Sequence, residues 1–457
     1  MDQQHPYTPP ANGFRTFVIL WATQALSVFG SQLTYFAMTV WLTTELYPLP
    51  EQKPALAAAL SLVSLAFALP NVLIAPMAGV LTDRADRKTI MFWTDIASGL
   101  VSLALLASLA LDVLELWSLV LLMTCSAVLQ SFHNSSFDAS YAMIVPENRL
   151  PRANGMMQTV FGLSGILAPA LAASLIALPA LFRGKGASGW PASMIAGIEH
   201  GATLAIAVNV LTFFTAAAVL PFLSIPSPRR TSEGRQTNFL GDVKEGMVFI
   251  AQRRGLIWLL VAFAVFNFCS APVGVFRPMI VRDSLSVDAA AHGLNYEAAL
   301  ALMGSVGAIG GVVGGVVVSA WGGLKRRRVL GVLVPLLVGA AGQVLFGLSS
   351  GLYVAVGATA VLMFTTPLAN AHSQTIWQTQ TPREMQGRVF AVRRVVAQFT
   401  SPLGAALSGL LGTWADPGVA VAICGLVSAA YVALQFFNRS LMSAEDSQPR
   451  GNALVRS

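Results

Sequence analysis

The stretch GVLTDRADRKTI, residues 79–90, holds five charges, Asp83, Arg84, Asp86, Arg87 and Lys88, between two long apolar runs. Ionised side chains are costly in a hydrocarbon phase, so such a burst marks a place where the chain leaves that phase for water. Whether the flanking runs are membrane spans or the core of a soluble domain decides the fold.

Of the 457 residues, 55% are hydrophobic and only 11% are charged, against about 25% charged in soluble domains. Mean hydropathy is +0.66. Apolar segments of about 20 residues, the length that crosses a hydrocarbon core, recur along the whole chain. They fall at 14–42, 55–81, 89–111, 116–141, 155–180, 203–224, 255–281, 296–320, 328–349, 351–378, 388–414 and 418–437. The expected fold is therefore an all-α membrane protein with twelve transmembrane helices. An even count leaves both termini on one side, and Lys and Arg decide which side that is. The two tails, counted with Arg15 at the edge of the first window, and segments 82–88, 142–154, 225–254, 321–328 and 379–394 carry 23 of the 28 basic residues. The other side has Lys53, Arg183, Lys185, Arg277 and Arg282. Both termini are thus expected in the cytosol, and the chain as a multi-pass protein of the cell inner (cytoplasmic) membrane. Tryptophans fit interfacial belts, with Trp41, Trp117, Trp190 and Trp414 near outer ends and Trp93, Trp258, Trp321 and Trp377 near inner ones.

The opening MDQQHPYTPPANGF is polar and Pro-rich, and reads as a cytosolic tail rather than a signal peptide. Because the net charge of +7 follows the loops, it needs no nucleic-acid partner. Cys125, Cys269 and Cys424 lie far apart inside apolar runs, which indicates neither disulfides nor a metal site.

The longest polar stretch, 225–254, divides the spans six and six. Its end, FLGDVKEGMVFIAQRRGL, has helical apolar spacing and is expected to lie along the membrane surface. The predicted organisation is a tail at 1–13, a six-helix bundle at 14–224, a linker with a surface helix at 225–254, a second six-helix bundle at 255–437 and a cytosolic tail at 438–457. The halves echo each other at an offset of 236 residues: Gly79 maps to Gly315, Asn134 to Asn370, Pro146 to Pro382 and Arg152 to Arg388. Parallel six-span repeats are one architecture of secondary transporters.

The charged loop can be read as a positive-inside anchor and no more. Its order says more. Gly79, Asp83, Arg84, Arg87 and Lys88 resemble the G-x-L-x-D-R-x-G-R-K loop of the major facilitator superfamily, with Asp86 where the general pattern has Gly. Other pieces resemble the drug-exporter branch that includes macrolide efflux proteins and the enterobactin exporter: FVILWATQALSVFGSQLTYFAMTVWLT, VPENRLPRANGMMQ, DVKEGMVFIAQRRGLIWLL and REMQGRVFAVRRV. The resemblance spans about residues 14–437 and implies the two-bundle fold and alternating access. A helix N-terminus attracts a carboxylate. The resemblance accordingly implies that Asp83 docks on the start of span eleven and latches the outward-open state, with Arg388 in the same cytosolic gate. Arg84, Arg87 and Lys88 would hold carboxylates such as Asp95 or Asp138, or headgroups. Asp83→Asn is then expected to cut transport while leaving membrane insertion intact, which vesicle uptake beside a quantitative blot would read. Gly79 is expected to allow close helix approach. In GSVGAIGGVVGGVVV, Gly307/Gly311 and Gly311/Gly315 make small-xxx-small pairs suited to packing. Span five holds GLSGILAPALAASL, where Gly162, Gly165 and Pro169 match the fifth helix of antiporters in the superfamily, but Ala168 and Ala172 replace expected glycines.

Polar residues inside spans mark contacts or cavities. Gln130, Asn134 and Asp138 in span four and Asn370, Gln374 and Gln378 in span ten are each spaced i, i+4, i+8, one helix face. Span one adds Gln24, Ser27, Ser31 and Tyr35. These are candidate substrate-path residues, with interhelical hydrogen bonding as the alternative. Asp95, Asp138 and His133 can change charge and are the candidates for proton coupling, or else they are structural partners. With so few charges, the presumed path favours uncharged or weakly cationic apolar compounds.

The sequence has no H-E-x-x-H, Walker A motif or cysteine pair, so no enzyme, metal or cofactor is expected and energy must come from a gradient. The expected function is proton-coupled efflux of small amphipathic molecules by a monomer in the lipid bilayer. A dedicated siderophore or metal-ion exporter, or an importer of the same fold, is the alternative.

Overall fold

A computed structural model of the full chain describes residues 12–146, 149–184, 189–190, 192–225, 239–382, 385–412 and 414–445. Helices dominate, as they must where no water is present to satisfy backbone groups. In chain order they are α1 (Gly13–Trp41), α2 (Lys53–Leu73), α3 (Ala75–Arg84), α4 (Arg87–Ala110), α5 (Leu116–Ile144) and α6 (Leu150–Gly184). Then come α7 (Ala192–Ala196), α8 (Ala202–Val219), α9 (Phe239–Ala251), α10 (Arg254–Asp283), α11 (Ser286–Ala291) and α12 (Tyr296–Trp321). The last are α13 (Arg328–Leu348), α14 (Leu352–Gln380), α15 (Gln386–Leu411), α16 (Pro417–Gln435) and α17 (Arg439–Met442).

Among the described residues, eleven helical stretches are long and apolar enough to cross a membrane. The window at 388–414 corresponds to α15, whose 26 residues suffice in length. Its start carries Arg388, Arg393 and Arg394, and its apolar part is Phe399–Leu411. Predicted window 55–81 is two helices, because α2 yields to α3 at Ile74. Pro70 lies inside α2 and Pro76 in the first turn of α3, and a proline nitrogen cannot continue the backbone ladder.

Local chemistry sets several ends. Asn295 caps α12, its side chain accepting from the Ala298 N–H at 2.9 Å. Asp416 caps α16, accepting from Gly418 and Val419 at 2.9 and 3.1 Å. Helix α12 stops at Gly322, whose φ of 78° places it in the left-handed region that glycine tolerates.

The chain divides into two compact units, residues 1–48 with 62–231 and residues 49–61 with 232–457. In the first, α1 packs on α6 and α8, and α4 lies between α5 and α8. One end of this unit is closed by a cluster of Phe17, Leu20, Met91, Phe137, Ile144 and Leu220. In the second unit, α14 lies against α12 and α13, while α10 lies against α15 and α16. Gln343, fully buried on α13, donates to the Cys269 and Val421 carbonyls at 2.7 and 3.1 Å and so ties α13 to α10 and α16.

The glycine contacts of α12 differ from the predicted pairs. A Cβ on Gly307 would stand 3.0 Å from Thr359 Cγ2, and one on Gly314 would meet the Phe364 backbone, its carbonyl carbon at 3.0 Å. Gly310 meets the Ala360 backbone in the same way. Gly311 sits at ordinary contact distance, and a Cβ on Gly315 meets nothing within 4 Å. The close face is therefore Gly307, Gly310 and Gly314, an i, i+3, i+7 stripe.

Two tryptophans expected in belts are core residues instead. Trp41 is 5% exposed and Trp377 1%, because each lies where helices of its unit meet. Trp93, Trp117, Trp190, Trp321 and Trp414 are exposed.

Candidate functional site

The charged loop joins α3 to α4. Asp86 caps α4, its Oδ2 accepting from the Thr89 N–H at 3.0 Å and the Thr89 hydroxyl at 2.6 Å. The residue that departs from the general motif thus starts the next helix. Asp86→Ala is expected to cost about 1 kcal/mol, while Asp86→Gly costs a few tenths; thermal unfolding in detergent would read the difference. Arg87 is buried, and its guanidinium donates to the Ala139 carbonyl at 3.0 Å and the Thr82 carbonyl at 3.4 Å. Lys88, expected to hold a carboxylate or headgroup, donates instead to the Pro221 carbonyl at 2.7 Å. These contacts fasten the loop to the ends of α5 and α8. The side chains of Asp83, Arg84 and Arg152 lie outside the described part. Gly79 does not serve close approach here, since a Cβ on it would meet nothing within 4 Å.

Two of the three coupling candidates come together. Asp95 on α4 and His133 on α5 are 2% and 3% exposed. His133 Nδ1 lies 3.1 Å from Asp95 Oδ1 and 3.2 Å from the Thr94 hydroxyl. The Thr94 hydroxyl is itself held by the Ile90 and Met91 carbonyls. Asp95 Oδ2 and His133 Nε2 are buried without a hydrogen-bond partner among the described residues. At 1.5 Å per residue, Asp95 is about 12 Å along α4 from Arg87 and His133 about 16 Å back along α5 from Ile144. Arg87 and Lys88 are engaged elsewhere, and Asp95 is held by His133. Helix α8, packed on the other side of α4, carries no acidic, basic, Tyr or Cys side chain between Ala202 and Val219. Asp138, the third candidate, is exposed and stands apart on another face of α5.

An ion pair buried this way is costly. With one proton between them, Asp95 and His133 can be both charged or both neutral, and the pair has no net charge. Removing that proton leaves a buried anion; adding a second leaves a buried cation.

The polar stripe on α5 is solvent-accessible in its own unit. Gln130 donates to Asn134 Oδ1 at 2.7 Å, and Asn134 and Asp138 are exposed. On α1, Gln24 and Ser27 are buried at 4% and 5% exposure. Ser31 is partly exposed and the Tyr35 ring lies 6.1 Å from that of Phe67. Span one therefore mixes packing residues with accessible ones.

In the second unit, Asn370 and Gln374 of α14 belong to a polar site that includes a residue not singled out in the sequence. Arg393 of α15 donates to Gln374 Oε1 and, at 3.4 Å, to the Ser373 hydroxyl. Its guanidinium carbon is 5.6 Å from the Trp377 ring centroid. Beside it is a cavity of about 170 Å³ lined by Phe263, Asn267, Thr366, Asn370 and Trp377, among others. This cavity of the second unit thus has a cation in its lining. Arg393 falls within segment 379–394, where it counts as a loop charge by sequence; its contacts place it against the bundle.

Arg388 lies near the start of α15 and pairs with Glu245 of α9 at 2.6 Å. Gly246 lets α9 sit against α15, since a Cβ there would stand 2.7 Å from the Arg388 carbonyl oxygen. Helix α9 thus docks on α15 of its own unit. At its end, burial beside Phe249 lowers the pKa of the Arg253 guanidinium from its ordinary value. His372 is a packing residue: Nδ1 donates to the Leu368 carbonyl at 2.7 Å and Nε2 accepts from the Leu324 N–H at 2.8 Å. That arrangement fits the neutral ring. Among the described residues, no group of His, Cys, Asp and Glu is arranged to hold a metal ion.

Comparison with known proteins places this geometry among transporters. The family model described as Major Facilitator Superfamily matches residues 20–404. Macrolide efflux protein A of Streptococcus pyogenes is 25% identical over 396 residues, covering 86% of this chain and 88% of that protein. An uncharacterized MFS-type transporter, YfiS of Bacillus subtilis (strain 168), is 26% identical over 420 residues and 89% of each chain. Among solved structures, a bacterial homolog of the human lysosomal transporter Spinster matches with a TM-score of 0.66 at 15% identity, over 97% of this chain and 98% of that one.

Proposed function

The chain belongs to the Major Facilitator Superfamily, and on that premise we propose that it exports small amphipathic molecules in exchange for protons by alternating access. The coupling proton is carried by Asp95 and His133. The observation that carries this reading is the buried pair itself: two titratable groups 3.1 Å apart, with one polar atom on each unpartnered among the described residues, inside an apolar helix contact. Structural ion pairs also occur in bundles. What favours a working role is the incomplete hydrogen bonding, since a purely structural pair gains from satisfying every polar atom.

Efflux as the direction, and amphipathic compounds as the cargo, draw support from the relatives named for macrolide efflux. The orientation follows from the distribution of Lys and Arg, with both termini in the cytosol of a cell whose inner membrane maintains a proton gradient. One chain is the transporting unit.

Uptake into inside-out vesicles tests the reading, with a panel of macrolides, other lipophilic drugs, siderophores and metal ions. Uptake of at least one amphipathic compound, lost when the pH gradient is collapsed, is expected. Uptake that survives collapse would refute proton exchange, and movement of siderophores or metals alone would refute the cargo class.

A further inference from the structure

We propose that the cavity beside Arg393 binds the carboxylate of an amphipathic organic acid, so that the cargo, or one class of it, is anionic at one end. This deepens the reading of the chain as an exporter of amphipathic molecules and rests on it.

Arginine has five N–H donors and stays charged. The hydrogen bonds of Arg393 engage Gln374 and Ser373, both neutral, and the nearby Trp377 ring adds a cation–π contact but no counter-charge. Among the described residues two of these donors are used, which leaves three for a ligand. No carboxylate of a described residue pairs with Arg393, although the chain pairs the nearby Arg388 with Glu245. A half-buried cation with no counter-ion among the described residues is unfavourable until an anion reaches it.

The cavity gives that anion a place. Asn267, Thr366 and Asn370 line it with amide and hydroxyl groups, and Phe263, Phe266 and Trp377 supply an apolar wall. An apolar wall with a few convergent polar groups is the usual make-up of a small-molecule site. The volume of about 170 Å³ is below the roughly 300 Å³ at which drug-sized pockets begin. It therefore suits one end of a molecule. A single cation among neutral amides matches a monoanion, and the planar guanidinium fork matches a carboxylate.

The test uses the purified full chain in neutral detergent, with 1-naphthylacetate and its neutral isostere 1-naphthylacetamide as probes. Equilibrium dialysis should give a carboxylate affinity about tenfold or more above that of the amide, from the strength of a charge-assisted hydrogen bond. Arg393→Gln should erase that ratio, and a size-exclusion profile like that of the unaltered chain shows that it is folded. Arg393→Lys should keep part of the ratio, and Asn370→Ala should weaken both probes. Equal affinities in the unaltered chain, no binding of either probe, or a ratio that survives Arg393→Gln would overturn the proposal. So would displacement of naphthylacetate by dioctanoylphosphatidylglycerol at comparable affinity, because the site would then belong to a lipid phosphate. No gradient enters this measurement. A failed ratio therefore leaves proton exchange standing, and a preserved ratio in a chain that moves nothing would defeat the transport reading alone.

Discussion

Asp95→Asn is expected to abolish gradient-driven accumulation while leaving cargo binding in place. Asparagine keeps the size and most of the hydrogen bonding of the carboxylate but cannot exchange a proton. One pH unit is worth about 1.4 kcal/mol per proton, a factor of ten in concentration. Vesicles with a gradient of about two units should therefore concentrate cargo up to about 100-fold by one-for-one exchange, and the variant should settle near unity. His133→Gln should behave differently. It still offers Asp95 a donor but cannot take the second proton, so exchange should slow and its pH profile change without accumulation being lost. If Asp95→Asn accumulates cargo as well as the unaltered chain, the proton travels elsewhere, and Asp138 becomes the group to replace.

The largest effect on the fold itself is expected from Gly314→Val. The Phe364 backbone lies where a Cβ would go, with the carbonyl carbon at 3.0 Å and the oxygen nearer still, and a backbone cannot turn aside as a side chain can. Overpacking of this kind costs about 1–3 kcal/mol or more. Here it prises α12 from α14, one of the closest helix pairs of the second unit. The neighbouring Gly315→Val adds the same atoms where nothing stands within 4 Å. The pair therefore separates packing from helix propensity, which both substitutions change alike. Size-exclusion profiles and thermal unfolding in detergent should show Gly314→Val aggregated or strongly destabilised and Gly315→Val close to the unaltered chain.

How much of this was legible in the sequence depends on the distance over which the signal acts. Span positions were legible, because the cost of placing polar groups in hydrocarbon acts on every residue of a window. Windows 89–111 and 296–320 became α4 at 87–110 and α12 at 296–321. The division of 55–81 at Ile74 was foreshadowed by Pro70 and Pro76, which hydropathy alone does not weigh. Side-chain partnerships were less legible. Asp95 and His133 each stood out as titratable groups in apolar helices, but their pairing depends on the rotation of α4 against α5, which one sequence does not reveal. The i, i+4 spacing in GSVGAIGGVVGGVVV suggested Gly307, Gly311 and Gly315, whereas the crossing of α12 on α14 selected Gly307, Gly310 and Gly314. Arg393 was hidden for a different reason. Four basic residues between 379 and 394 read together as a loop, yet the helix starts at Gln386 and carries Arg393 two turns inward. The signal available was a positive charge five residues beyond Arg388, too deep in a span to count as an anchor.

The most direct test of proton exchange at Asp95 is infrared difference spectroscopy of the reconstituted chain on addition of a transported cargo. The carbonyl stretch of a protonated carboxyl group should change in intensity, shift in heavy water, and be absent from the Asp95→Asn difference spectrum. An unchanged carboxyl band in the unaltered chain, or a change that persists in Asp95→Asn, would contradict the account.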